Sequence, residues 1–244
     1  MGPIGVKEHL KPYLPGHFVT NNLTEKVCGT VSAAPFGSAS ILSISYMYIA
    51  LLGNQGLSNA SKIAMLNANY MKEKLKSHYP ILFGARYEGD RVAHEFIIDM
   101  RPIKKETSIS EEDVAKRLMD FGFHAPTMSF PVAGILMCEP TESEGKEELD
   151  RLCNALIQIR KEINKVRDGE YDKLDNPLKN APHTCDVITS NEWNRKYTRE
   201  EGAYPLPWVR TRGKVWPTVG RVDGTYGDRN LILTSPKTNS YLSL

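Results

Sequence analysis

The sequence lacks the residue patterns that are typical of disulfide-bonded domains and of metal sites. Its four cysteines, Cys28, Cys138, Cys153 and Cys185, lie far apart and form no C-x-x-C pair, which argues against a zinc knuckle or a thioredoxin-type redox motif. The six histidines share no ligand spacing on one predicted helix. We therefore predict free thiols, a reducing compartment and no metal site.

Long apolar runs and an excess of charge of one sign are also absent. No stretch of eighteen apolar residues occurs, so we expect no membrane-spanning helix and no membrane partner. Lys and Arg number 31 against 29 Asp and Glu, a formal net charge of +2, which is too small an excess to favour nucleic acid as a partner. Phosphate-loop, dinucleotide-binding, nucleophile-elbow and H-E-x-x-H motifs are missing.

The chain is long enough and hydrophobic enough to form a folded core. Its 244 residues, 41% of them hydrophobic, are sufficient for one large domain or two small ones. An apolar stretch over residues 41–52 predicts a helix, with Ser38 or Ser40 as its N-cap and the Gly53-Asn54 pair as its end. Residues 57–80 repeat apolar positions at helical spacing and predict a second helix.

Two short apolar runs, residues 94–100 and 132–140, predict strands. Between them, Ser110 and Asp113 form a capping pattern for a helix that ends at Gly122. Thr141 and Glu144 repeat this pattern before a long amphipathic segment. Its predicted stripe consists of Leu149, Leu152, Leu156, Ile159, Ile163 and Val166. The order of elements predicts an α/β or α+β domain.

From about Tyr171 onward, prolines separate aromatic residues that show little periodicity, which predicts a loop-rich tail. The aromatic residues are too numerous for a disordered segment, so we expect the tail to pack on the folded body and to bury their rings. They are Trp193, Tyr197, Tyr204, Trp208, Trp216 and Tyr226.

Several loops carry candidate site residues, and in each case a structural interpretation stays open beside the functional one. The loop "GTVSAAPFGSAS" offers Thr30 and other hydroxyl groups ahead of a helix, where they could bind a phosphate or simply cap the helix. The turn "GFHAPTMSFPVAG" places His124 and Thr127 where they could face a cleft or pack under a strand. Arg221 in "VGRVDGTYGDRN" could bind a carboxylate or form a charged turn pair.

The carboxylates of "EPTESE" form the remaining candidate group. The carboxylates of Glu139, Glu142 and Glu144 could perform acid/base chemistry. A capping box formed by Thr141 and Glu144 is a structural explanation for the same stretch of sequence. Local chemistry by itself therefore names no reaction.

Six separated segments in order resemble one known family, the pyridoxal-phosphate-dependent glycine decarboxylases known as P-proteins of the glycine cleavage system. The segments are "GPIGVKEHL", "GTVSAAPFGSASIL", "GFHAPTMSFPVAG", "EPTESE", "NPLKNAPHT" and "YGDRNL". The resemblance runs from Gly2 to about Pro236 and covers the C-terminal portion of that family. It implies the small domain of a type I pyridoxal-phosphate fold, with residues 1–55 as the end of a truncated large cofactor domain, residues 56–170 as the small α/β domain and residues 171–244 as the tail.

The resemblance also implies a reaction, a cofactor and partners. Glycine is decarboxylated, and its aminomethyl group passes to the lipoyl arm of the H-protein; the rest of the P-protein or a second P-protein subunit would be a further partner. In the family, the lysine that binds pyridoxal phosphate precedes "GPIGV". Lys7 and Lys11 do not lie in that lysine's context, so we expect no catalytic residue in this chain and no activity of the chain alone.

Residues carry over from the family only in part. The resemblance implies that Thr30 contacts the cofactor phosphate, that His124 and Thr127 line the cleft, and that Arg221 lies on the substrate or lipoyl-arm side. Many family members have a cysteine in the stretch matching residues 231–235, whereas this sequence has none, so thiol-based regulation there is not expected.

A second hypothesis is a non-catalytic module that pairs with full-length P-protein or with H-protein. The predicted location is the mitochondrial matrix for a eukaryotic source and the cytoplasm otherwise. If the large domain is truncated, apolar side chains near the N-terminus should be exposed and mobile. These are Ile4, Val6, Leu10, Val31 and Phe36.

Overall fold

The computed structural model describes residues 2, 4–20, 28–84 and 89–232. The chain divides into two compact units, residues 1–61 and 62–244. The first unit contains two short 3-10 turns, Glu8–Tyr13 and Ala39–Ile41. Helix α1 extends over Leu42–Leu75 and so has residues in both units. The predicted exposure near the N-terminus is confirmed. The five side chains are exposed by 40% to 83%: Ile4, Val6, Leu10, Val31 and Phe36.

Helix α1 differs from the sequence prediction at its start but agrees with it at Gly53. Ser38 precedes the second 3-10 turn without a side-chain capping bond, and the Ser40 carbonyl accepts a bond from the Ser43 hydroxyl. Gly53 has non-helical angles, φ 61 and ψ −177, a region open in practice only to glycine. The predicted end at Gly53-Asn54 is therefore confirmed as a break, because two helical stretches meet at a kink at Gly53.

The second unit contains a four-stranded antiparallel sheet in the order β1-β2-β4-β3. The strands are β1 (Ile81–Leu82), β2 (Phe96–Asp99), β3 (Thr127–Met128) and β4 (Ile135–Cys138). Phe96 pairs with Cys138 and Asp99 with Ile135 in the central pair. All four residues of β2 are buried, and its first three, Phe96, Ile97 and Ile98, form a continuous apolar run rather than an alternating one. Both predicted strands are confirmed, and the mixed class agrees with the predicted α+β fold.

Helices α2 (Arg101–Thr107) and α3 (Glu111–Asp120) follow strand β2. The capping box predicted for Ser110 and Asp113 is present: the Ser110 hydroxyl accepts from the Asp113 amide at 3.2 Å, and the Asp113 carboxylate accepts from the Ser110 amide at 2.8 Å. The two bonds satisfy amides at the helix start, so α3 begins where the sequence predicts.

The long helix α4 covers Lys146–Arg167 and begins later than predicted. The capping box predicted for Thr141 and Glu144 is wrong, since Gly145 is the N-cap residue and Thr141 instead accepts from the Ser143 amide at 3.3 Å. The apolar stripe is confirmed, with Leu152 half-buried and Cys153 as an additional buried member. Its buried residues include Leu149, Cys153, Leu156, Ile159, Ile163 and Val166.

The segment after α4 packs on the same unit through short helices. They are α5 (Pro177–Asn180), α6 (Cys185–Thr189), α7 (Arg199–Ala203), α8 (Pro207–Thr211) and α9 (Gly224–Arg229). Tyr197 is buried, and Trp208 lies at 6.1 Å and 6.2 Å, centroid to centroid, from Phe121 and Phe123. Tyr226 is 65% exposed, so the predicted ring burial is wrong at that residue. Among the described helices, none has the length and apolar character needed to cross a bilayer.

Candidate functional site

A cavity of about 620 Å³ opens in the second unit between α5, α6 and the segment that leads into α9. Three cationic side chains, Lys179, Arg195 and Arg221, line it, together with the carboxylates of Glu112 and Asp223. Arg221 is the one residue among the four predicted site residues that lies on its wall. Each of the three cations forms an ion pair with another carboxylate of the chain: Lys179 and Arg221 with Asp113, and Arg195 with Asp175.

The guanidinium of Arg221 is held by acceptors within the chain. Its Nε donates to the Ala181 carbonyl at 2.9 Å, its Nη2 to the Leu178 carbonyl at 2.9 Å and its Nη1 to Asp113 Oδ1 at 2.5 Å. The segment around Arg221 is thereby fastened to α5 and to the start of α3. A ligand carboxylate would have to share a guanidinium whose three nitrogens already donate inside the protein.

Asp113 is the buried anion beneath this cavity. Its Oδ2 also accepts from Lys179 Nζ at 2.7 Å, so one carboxylate faces two cations. Burial by itself would raise the pKa of Asp113, but the bonds from Lys179, Ser110 and Arg221 outweigh burial and hold the pKa below its usual value. The capping carboxylate of α3 is thus also the anchor of the cavity wall.

On the cavity wall, His183 joins two buried groups. Its Nδ1 lies 2.8 Å from Asp120 Oδ2, its Nε2 lies 2.8 Å from the Tyr197 hydroxyl, and its amide donates to Asp120 Oδ1 at 2.7 Å. Burial would raise the pKa of Asp120, but the His183 bond and the charge of Arg117 lower it below its ordinary value. The ionised carboxylate therefore fixes the orientation of the imidazole ring.

Arg117, on α3, is fully buried and completes this cluster. It donates to Glu162 through Nε at 2.9 Å and Nη2 at 2.8 Å, and to Asp120 through Nη1 at 2.9 Å. Its two remaining N–H groups donate to the carbonyls of Glu201, at 2.6 Å, and Gly202, at 2.9 Å. All five donors of the guanidinium have an acceptor, which is the condition for burying this charge without a large penalty.

Lys214 approaches the same cluster from the tail and donates to the Asp120 carbonyl. Burial lowers its pKa to about 8, an effect that the charge of Asp120 opposes and the charge of Arg117 reinforces. A lysine with a lowered pKa is a candidate nucleophile in general, but this ammonium group is turned to a backbone oxygen and is not part of the cavity wall.

Thr30 lies in the first unit, on an exposed loop. The buried His17 ring stabilises this loop: its Nδ1 accepts from the Val19 amide at 3.1 Å, and its Nε2 lies 3.3 Å from the Ala33 carbonyl. The two bonds assign the proton of the neutral ring to Nε2. His17 is a residue that sequence reasoning missed, and its position between "LPG" and "FVT" gave no periodic signal.

His124 and Thr127 are exposed and lie on the connection from α3 to β3 and on β3 itself, away from the cavity wall. The Nδ1 of His124 contacts the neighbouring Ala125 carbonyl at 3.1 Å. The structure thus does not bring the predicted residues of the second unit together, and their roles stay predictions. The buried cluster of Arg117, Asp120 and His183 was missed, although Arg117 interrupts the apolar stripe of Val114, Leu118 and Phe121.

The implied pyridoxal phosphate can be tested against the groups that are present. The loop of Thr30 offers hydroxyl and amide groups suited to a phosphate, but the cavity near Arg221 has no lysine free to form an imine, because Lys179 is bonded to Asp113 and to the Ser108 carbonyl. Within the described residues no three His, Cys, Asp or Glu side chains come together as metal ligands. The described residues therefore do not form a complete cofactor site.

Comparisons with known proteins give a consistent result. The family model described as "Glycine dehydrogenase, C-terminal domain" matches residues 60–183. Glycine dehydrogenase (decarboxylating) of Vibrio parahaemolyticus is 59% identical over 241 residues, and that of Pelagibacter ubique is 57% identical over 242; each match covers 99% of this chain. Glycine dehydrogenase (decarboxylating) 2 of Colwellia psychrerythraea is 59% identical over 243 residues. The chain spans 25% of the length of each of these relatives.

Proposed function

The chain belongs to the glycine dehydrogenase C-terminal domain family, and on this premise we propose that it is the C-terminal part of a glycine dehydrogenase (decarboxylating). The longer protein would decarboxylate glycine and pass the aminomethyl group to the lipoyl arm of the H-protein. The observation that carries the proposal is the identity of 57% to 59% along nearly the whole chain with relatives of that name.

Pyridoxal phosphate is the cofactor that we propose for the longer protein, where its pyridinium ring would act as the electron sink for decarboxylation. We propose that the lysine carrying it lies outside these residues and that this chain contributes Thr30 as a phosphate contact. No reaction step is assigned to the residues of this chain, because the cavity near Arg221 offers no lysine that is free to react.

The second unit would serve as a rigid wall of the substrate cleft. Arg221 and Lys179 bind Asp113 and so fasten the cavity wall to α3. Arg117 joins α3 and α4 to the tail. The exposed residues of the α3–β3 connection would therefore follow a helix, α3, that is held in a fixed position. In this arrangement, His124 and Thr127 would face the cleft. Arg221 would mainly hold the wall on the substrate or lipoyl-arm side. The division into residues 1–55, 56–170 and 171–244 is part of the same proposal.

The proposal can be tested with a chimera in which this chain replaces the C-terminal quarter of the Vibrio parahaemolyticus relative. With pyridoxal phosphate and lipoyl H-protein, we expect the chimera to exchange bicarbonate with the carboxyl group of glycine, and we expect the isolated chain to show no exchange. A folded chimera without exchange would contradict the proposed function, and exchange by the isolated chain would contradict the placement of the lysine.

A non-catalytic module that pairs with full-length P-protein or H-protein is the second candidate function, favoured by the exposed apolar residues of the first unit. Addition of pyridoxal phosphate to the purified chain separates a functional cofactor site from a bare domain, because an imine absorbance band would indicate such a site. We expect no such band. For location we propose the cytoplasm, or the mitochondrial matrix in a eukaryotic source.

A further inference from the structure

Two of the three cations of the cavity near Arg221 are already neutralised within the chain. Arg221 and Lys179 share the carboxylate of Asp113, and each of them bonds to one of its two oxygens. A ligand would gain little from either cation, because its own charge would have to replace that of a buried carboxylate. The groups that could bind a ligand are therefore those of the cavity wall that lack a close partner.

Arg195 is a cation of this kind. It lies on the cavity wall, and its side chain is 43% exposed. Its ion pair joins Nη1 to Asp175 Oδ1 at 3.7 Å, which is too long for a hydrogen bond. Asp175 is also engaged elsewhere, since its Oδ1 accepts from Asn180 at 2.8 Å and its Oδ2 accepts from the Lys196 amide at 2.9 Å. Among the described residues, the Arg195 guanidinium has no hydrogen-bond acceptor.

Glu112 and Asp223 are the carboxylates of the same wall. Asp223 caps α9 by accepting from the Tyr226 amide at 2.9 Å. Within the part of the chain that the structure describes, neither carboxylate forms an ion pair, and Glu112 accepts no hydrogen bond. Neither lies within ion-pair distance of Arg195. The cavity wall therefore carries charges of opposite sign that do not neutralise each other.

The wall also has apolar side chains. Val187 is 41% exposed and Val222 is 61% exposed, and both line the cavity. Its volume of about 620 Å³ lies within the range of sites that bind small molecules, which combine apolar surface with a few polar groups that fix the orientation of the ligand. A ligand with an apolar body and one charge of each sign would match these groups.

We propose that the cavity binds a small zwitterion, either an amino acid with an apolar side chain or a dipeptide. Its carboxylate pairs with Arg195 and its ammonium group with Glu112 or Asp223, through charge-assisted hydrogen bonds. A nucleotide or another phosphate ester matches the wall less well, because the two other cations are held by Asp113. The inference goes beyond the proposed function, since binding here needs neither pyridoxal phosphate nor the lipoyl arm.

Isothermal titration calorimetry of the purified chain, without pyridoxal phosphate, tests the proposal. Leucine and glycylleucine are the probes, and they distinguish an amino acid from a dipeptide as the ligand. Leucinamide and glycylleucinamide lack the carboxylate of these probes, whereas 4-methylpentanoate and N-acetylleucine lack the ammonium group. We expect the single-charge analogues of the zwitterion that binds to be at least about tenfold weaker, because each loses one charge-assisted pair.

Variants of the wall test the assigned groups. Arg195→Gln, and Glu112→Gln combined with Asp223→Asn, should each weaken binding of the zwitterion at least about tenfold. Asn is also a favoured N-cap residue, so the start of α9 is retained. Arg210→Gln, at an exposed ion pair outside the cavity wall, is the matched control and should bind the zwitterion as the unchanged chain does.

Four outcomes would overturn the proposal. They are the absence of saturable binding of both zwitterions, equal affinity for a single-charge analogue, unchanged affinity in Arg195→Gln, and loss of binding in the folded chimera. The last would show that the cavity is covered in the longer protein. A chimera that binds the zwitterion but shows no bicarbonate exchange would support the site and contradict the proposed function alone.

Discussion

Arg117 shows how one buried charge can hold three parts of a domain together. It lies on α3, pairs with Glu162 on α4 and donates to two backbone carbonyls at α7. A buried cation is stable only where every donor has an acceptor, and here every one does. The contribution of Arg117 to stability therefore depends on its geometry as well as on its charge.

Replacing Arg117 by Lys tests this dependence. Lysine keeps the charge but cannot reach Glu162, Asp120 and both carbonyls at once, so we expect the free energy of unfolding to fall by about 3 kcal/mol. Denaturant titration measures the change. Arg210→Lys, at an exposed ion pair with Glu200, is the control and should cost no more than about 0.5 kcal/mol. A similar small loss for Arg117→Lys would show that charge alone is sufficient.

The lowered pKa of Lys214 predicts a pH dependence with a definite sign. Its folded pKa is about 8, below the ordinary value of roughly 10.4, so between these values the unfolded chain binds more protons than the folded one. Lys214 thus destabilises the fold below pH 8, and this penalty is relieved as the pH rises. We expect the free energy of unfolding to rise between pH 7.5 and 9.5 relative to Lys214→Met; parallel profiles of the two proteins would contradict this.

The helices differ in how well their starts follow from the sequence. Ser110 to Asp113 and Thr141 to Glu144 fit the same capping pattern, yet the first forms a capping box and the second does not. Asp113 is fixed in place by Lys179 and Arg221, which lie far away in the sequence. No such partner is found for Glu144 among the described contacts, so Gly145 begins α4 instead.

Matched alanine substitutions test the difference between the two patterns. Ser110→Ala removes a hydroxyl that caps α3 and should lower the free energy of unfolding by about 1 kcal/mol. Thr141→Ala removes a hydroxyl on an exposed turn and should change it by no more than about 0.5 kcal/mol. Equal losses, measured by denaturant titration, would mean that Thr141 caps α4 in solution.

Elements that depend on local pattern could be predicted from the sequence, and those that depend on distant contacts could not. The strands at Phe96–Asp99 and Ile135–Cys138, the stripe of α4 and the box at Ser110 follow from periodicity and capping. The break in α1 at Gly53 also follows from the sequence, because glycine is the residue that adopts such angles. In the cluster of Arg117, Asp120 and His183, the contact between Asp120 and His183 joins positions more than sixty residues apart. Neither residue spacing nor composition indicates a contact of this kind.

At the scale of the whole chain, the two units differ in how much of their apolar surface is covered. The second unit buries Ile97 at the centre of its sheet, whereas the first leaves Ile4 and Phe36 in water. Segments with few buried apolar contacts open locally at low free energy. The first unit should therefore be the more dynamic part of the isolated chain.

Hydrogen exchange followed by mass spectrometry or NMR tests this expectation. In the isolated chain we expect fast exchange of the amides in the exposed N-terminal group: Ile4, Val6, Leu10, Val31 and Phe36. The amides of Ile97 and Leu152, in the sheet and in α4, should exchange slowly and serve as internal references. Comparable protection of both groups would contradict the view that the first unit lacks a covering partner.

The two bonds from Arg117 to the carbonyls of Glu201 and Gly202 have a consequence for how these proteins vary. A carbonyl is present whatever side chain the residue bears, so substitutions at position 201 need no matching change at position 117. Covariation between aligned sequences would then overlook this contact. The effect visible in an alignment would be a preference for glycine at position 202, because an added Cβ there would lie 3.1 Å from the His183 ring.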